Sequence, residues 1–80
     1  MKIEVTEDHI SRGIPDMPGC CPVALALTET VGSPAYLHIE CIHFPEMDDL
    51  CFKVPKSVEY FASSFDKGYA VKPFSFELNL

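Results

Sequence analysis

Residues 2–6 alternate in polarity, with Ile3 and Val5 on one side and Lys2, Glu4 and Thr6 on the other, the pattern of a short strand with one buried face. Thr6 then reads as an N-cap, with Glu7 and Asp8 well placed against the positive end of a short helical turn. Gly13 is expected to close that turn in a left-handed conformation. Residues 14–22 carry three prolines and read as a loop. Pro22 suits the first position of a helix, where its missing N–H costs nothing. Val23 to Val31 have almost no polar residue before Thr28, which predicts a short and largely buried helix stopped by Gly32 and Pro34.

Residues 35–44 are rich in β-formers and read as one strand, with Tyr36, His38, Glu40, Ile42 and Phe44 on one face and Leu37, Ile39, Cys41 and His43 on the other. Residues 45–49 are a turn, after which Leu50, Phe52 and Val54 alternate with Cys51 and Lys53 in a partner strand. Val58, Phe61, Ala62 and Phe65 recur at helical spacing and Gly68 supplies the stop. Beyond Pro73, residues Phe74, Phe76, Leu78 and Leu80 alternate with Ser75, Glu77 and Asn79.

The resulting order, β-α-β-β-α-β, predicts an α+β, ferredoxin-like split βαβ domain spanning residues 1–80. Two helices would cover one face of a four-stranded antiparallel sheet, with the first and third strands central. The other face would be open and carry Lys2, Glu4, Tyr36, His38, Glu40, Ile42, Phe44, Lys53, Ser75 and Glu77.

Composition supports folding, with 48% hydrophobic and 22% charged residues in a chain of 80. The core must be thin, because a chain of this size buries only about 60–65% of its unfolded surface. No apolar run approaches the roughly 20 residues of a membrane span, and Met1-Lys2-Ile3-Glu4 does not open a signal peptide, so a cytoplasmic location is expected. Six basic against twelve acidic residues give a net charge of −6. That sign opposes direct nucleic-acid binding and favours a basic protein surface as partner.

Four cysteines (Cys20, Cys21, Cys41 and Cys51) and three histidines (His9, His38 and His43) raise a zinc reading. Their spacing departs from paired ligands two to four residues apart, since the first two are vicinal. Cys41 and His43 share a strand face and can supply half a site, with His9 and one of Cys20 or Cys21 as the other half. The simpler reading packs Cys41 with Leu37 and Ile39 as a small apolar residue. Cys20 and Cys21 precede a helix N-terminus, which lowers a thiol pKa and would favour a reactive thiolate. Against that, a cytosolic chain keeps thiols reduced, and a Cys-x-x-Cys spacing is absent.

A thiolate with His9 or His43 and Asp16 is a conceivable nucleophilic set, but nothing in the spacing assembles it. With no Walker loop, GxGxxG or HExxH, the chain reads as a non-enzyme without a cofactor.

Several segments carry a resemblance: Thr6-Glu7-Asp8-His9-Ile10-Ser11-Arg12-Gly13, Cys21-Pro22-Val23-Ala24-Leu25-Ala26-Leu27, Phe65-Asp66-Lys67-Gly68, and Val71-Lys72-Pro73-Phe74-Ser75-Phe76-Glu77-Leu78. The chain resembles small uncharacterised bacteriophage- and prophage-encoded proteins, well at both ends and poorly in the middle. The resemblance implies an accessory factor that binds and disables a host protein, such as an anti-CRISPR or other anti-defence inhibitor. It carries over no catalytic or ligand-binding residue.

The expected function is therefore an acidic binding protein that occludes a nucleic-acid-binding surface of a host protein. Glu4, Glu40, Glu77, Asp48 and Asp49 are the expected charge contacts, and Tyr36 and Phe44 the expected anchors. The alternatives are a small Cys/His metal- or redox-responsive domain, and a homodimer through Ile42 and Phe44, which is compatible with the inhibitor reading.

Overall fold

The computed structural model describes residues 1–38 and 41–79. The elements run β1 (Lys2–Val5), α1 (Glu7–Arg12), α2 (Pro22–Val31), β2 (Tyr36–His38), β3 (Cys41–Phe44), β4 (Leu50–Lys53), α3 (Lys56–Asp66) and β5 (Phe74–Glu77). The class is mixed α+β, as the apolar spacing predicts. The sheet is different: the described strands form two antiparallel sheets, a β1–β5 ribbon and a β2–β3–β4 meander, instead of one four-stranded sheet.

The difference arises in residues 35–44, expected as one strand. Leu37 and Ile42 are five positions apart, so a continuous strand would send them to opposite faces. Instead β2 and β3 pair antiparallel, with Leu37 opposite Ile42 and Tyr36 opposite His43. Leu37, Ile42 and Phe44 are then all buried together. Ile42 and Phe44 belong to the chain's own core, which removes the expected two-fold contact through them and leaves Phe44, at 0% exposure, no surface from which to anchor a partner.

The ribbon follows the sequence pattern closely. Ile3 lies opposite Phe76 and Val5 opposite Phe74, while Lys2, Glu4, Ser75 and Glu77 face outward. Helix α2 packs on α1, β1 and β2 and so joins the two sheets. Its Pro22, Val23, Ala24, Ala26 and Leu27 are all buried. Helix α3 adds Val58 and Phe61 to the core, and the Phe61 ring lies 4.6 Å from Phe74 of the ribbon. A tilted aromatic pair of that kind adds about 0.5–1.5 kcal/mol beyond area burial.

The helix ends are chemically specified. Gly32, at φ 83°, caps α2 and donates its N–H to Thr28 O. Gly68, at φ 82°, closes α3 with a Schellman pattern in which Gly68 N–H reaches Phe65 O and Tyr69 N–H reaches Ser64 O. Gly13 behaves otherwise than expected: it is extended, at φ −67° and ψ 149°. Its requirement is space, because a Cβ there would lie 2.6 Å from Cδ of Pro22 and 3.0 Å from Cζ of Phe65.

A candidate protein-binding groove

Residues 14–20 fold back on themselves beside β2 and α3. Ile14 N–H donates to Cys20 O at 2.8 Å, and Cys20 N–H donates to Met17 O at 3.0 Å. Leu37 N–H donates to Pro18 O at 2.9 Å, so the loop covers the edge of β2. Asp16, in the left-handed region at φ 61°, donates its N–H to Asp66 Oδ1 of α3 at 3.0 Å. These bonds fix the loop at both sides.

Between the loop, β2 and the outer face of α3 lies an open groove of about 760 Å3. Met17, Pro18, Cys21, Leu37 and Ala62 make much of it apolar. Asp16, Glu59 and Asp66 supply three carboxylates against the one ammonium of Lys67. Asp66 stands in the last turn of α3, where the C-terminal dipole adds to the negative potential. The Tyr60 ring is 73% exposed at this groove and Met17 is exposed at 48%. An exposed aromatic beside apolar groove residues suits an interface.

Cys21 is the N-cap of α2, its Sγ accepting from Ala24 N–H at 3.4 Å. Burial raises its thiol pKa, outweighing the backbone hydrogen bonds that lower it. Of the two readings of Cys20-Cys21, the position of Cys21 as a buried cap at the loop-to-helix junction favours the structural one, since burial works against a thiolate there.

The expected contact residues are not brought together. Glu4 and Glu77 lie on the outer side of the ribbon, paired with Lys2 at 3.5 Å and with the Met1 ammonium at 3.4 Å. Asp48 and Asp49 occupy the β3–β4 turn at φ 56° and 55°. Tyr36 points outward from β2 but lies against the Gly19 backbone, where an added Cβ would sit 2.7 Å from its ring. Glu40 lies outside the described residues. Residue spacing did not reveal the groove residues Asp16, Glu59, Tyr60 and Asp66; the polar face of the 56–66 helix, carrying an unsupported tyrosine, was the one available signal.

The alternative metal set of Cys41 and His43 with His9 and Cys20 or Cys21 is not assembled. His9 is buried and bonded to Thr6 and Glu29, and Cys21 caps α2. Among the described residues no group of three or more His, Cys, Asp or Glu side chains is placed to hold a metal ion. Among them, too, no helix is long and apolar enough to cross a membrane. Compared with known protein families, curated proteins and solved structures, the chain shows no significant match.

Proposed function

We propose that this chain is a small acidic binding protein that docks on a basic surface of a host protein and blocks it, in the manner of a phage anti-defence factor such as an anti-CRISPR protein. The observation that carries the reading is the groove in which an apolar floor, an exposed Tyr60 and the carboxylates of Asp16, Glu59 and Asp66 meet. A lysine- or arginine-bearing segment offers aliphatic stems for the floor and cations for the carboxylates. The net charge of −6 steers the encounter and makes it salt-dependent. Nucleic-acid-binding proteins present such segments most densely, and covering one would exclude its phosphate ligand. The phage and anti-defence context comes from the resemblance of the two ends of the chain.

The test is fluorescence anisotropy with labelled arginine-rich and glutamate-rich peptides of equal length, across a salt series. The arginine-rich peptide is expected to bind, and to bind about tenfold more weakly to a Glu59→Lys/Asp66→Asn variant. The carboxamide introduced by Asp66→Asn keeps an oxygen that accepts from Asp16 N–H, so the loop is retained. Equal binding of the two peptides, or a salt slope unchanged in the variant, overturns the reading.

A further inference from the structure

We propose that the groove takes its basic partner segment as an amphipathic α-helix laid along α3, with two cationic side chains seven residues apart and apolar residues between them. This rests on the binding reading above and goes beyond it in fixing the shape and spacing of the segment. The stripe of α3 that lines the groove is Glu59, Ala62, Ser63 and Asp66, at i, i+3, i+4 and i+7. A carboxylate therefore stands at each end of the stripe, two helical turns or about 10 Å apart. The two side chains between them are small, and interaxial distance depends on the side chains at the contact, so a second helix can come close.

Residues seven apart on an incoming helix share one face, so both of its cations reach the two carboxylates together. An extended chain matches the span poorly. At about 3.3 Å per residue it covers the same distance in three residues, and side chains three apart on a strand point to opposite sides. Main-chain pairing gives no second route, because Leu37 N–H on the outer edge of β2 already donates to Pro18 O at 2.9 Å. Both carboxylates have capacity for a cation. Glu59 Oε2 lies 3.7 Å from Lys56 Nζ, a loose pair whose lysine is 83% exposed. Asp66 accepts Asp16 N–H through Oδ1, which leaves Oδ2 to accept from a partner cation. Met17, Leu37 and the Tyr60 ring supply apolar surface for the residues between the cations.

The test uses the whole chain and labelled peptides of about 16 residues, long enough to hold a helix, read by anisotropy. The first peptide carries two arginines seven residues apart with leucines between them. The second has the same composition with its arginines five apart, on different faces of an equally helical chain, and the third breaks the first with central prolines. The first is expected to bind more than about tenfold tighter than either of the others. Glu59→Lys should weaken the first by about tenfold, and replacing one of its arginines by glutamate should restore binding to that variant. Circular dichroism of Glu59→Lys checks the fold. Equal binding of all three peptides, or no binding of the first while the arginine-rich peptide binds, overturns the helix and leaves the binding reading standing. Binding of no basic peptide at all overturns both. A dimer in native mass spectrometry that no peptide dissociates gives the groove to a second copy and also overturns the proposal.

Discussion

His9 donates its Nε2 hydrogen to Glu29 Oε1 across 2.9 Å and so ties α1 to α2. The tautomer follows from the other side of the ring. Thr6 N–H can only donate, and it lies 3.0 Å from His9 Nδ1, so Nδ1 carries the lone pair and Nε2 the proton. His9 N–H returns a bond to Thr6 Oγ1, completing a capping box in which histidine takes the place of the usual glutamate or glutamine. Arg12 extends the network, with Nη2 on Glu29 Oε2 at 2.6 Å and Nε on Asp8 Oδ2 at 2.9 Å.

Glu29 predicts an acid sensitivity. Its carboxyl pKa is held below the ordinary 4.5, first by the hydrogen bond from Arg12 and then by that from His9. A lowered folded-state pKa contributes stability that is present above the ordinary value and is lost as pH falls through the lowered one. Wild-type Tm should therefore fall more steeply below pH 4.5 than that of Glu29→Gln, which has no such proton to take up. Parallel Tm–pH curves for the two proteins would contradict this linkage.

The capping box predicts an order of damage at His9. His9→Ala removes a buried ring and leaves Thr6 N–H without its partner, at a cost of about 2 kcal/mol. His9→Gln can rebuild the box and should lose less. Urea melts of both variants measure the difference.

Two glycines should respond to alanine for different reasons. Gly13→Ala has an acceptable φ but drives a Cβ into the buried Pro22 ring, and should cost about 1–3 kcal/mol. Gly32→Ala meets open space but must hold φ near 83°, and should cost about 1 kcal/mol. Denaturant midpoints for the pair separate steric from conformational strain.

Thiol exposure predicts an order of alkylation under limiting iodoacetamide. Cys51, which is exposed, should react first, and Cys21 last by more than about tenfold, since burial both hides it and raises its pKa. Peptide mass spectrometry against time reads this directly. Rapid labelling of Cys21 in the folded chain would contradict its role as a buried cap.

The β3–β4 turn predicts a preference for residues that tolerate the left-handed region. Met47 O accepts from Leu50 N–H at 3.2 Å while Asp48 and Asp49 both hold positive φ. Asp48→Val should cost about 1–2 kcal/mol, and Asp48→Asn almost nothing. Thermal melts of the two variants provide the check.

Much of the secondary structure was legible in residue spacing. Thr6, Pro22, Gly32 and Gly68 mark helix ends where the structure has them, and the alternation from Phe74 is the observed β5 as far as Glu77, with residue 80 outside the described residues. The site was far less legible. Leu37 and His38 of β2 and Tyr60 and Asp66 of α3 meet the 16–18 segment in one groove, and no local pattern encodes that meeting.

The sequence by itself determined which segments form helices and strands, because capping, φ preference and apolar periodicity act over a few residues. Tertiary structure decided how those strands pair. Folding the 35–44 run into β2 and β3 allows Leu37, Ile42 and Phe44 to leave water together, which a single straight strand cannot do. The same reversal turns Tyr36 and His38 outward beside His43 and Cys41, and so sets both the split into two sheets and the face that the two histidines share.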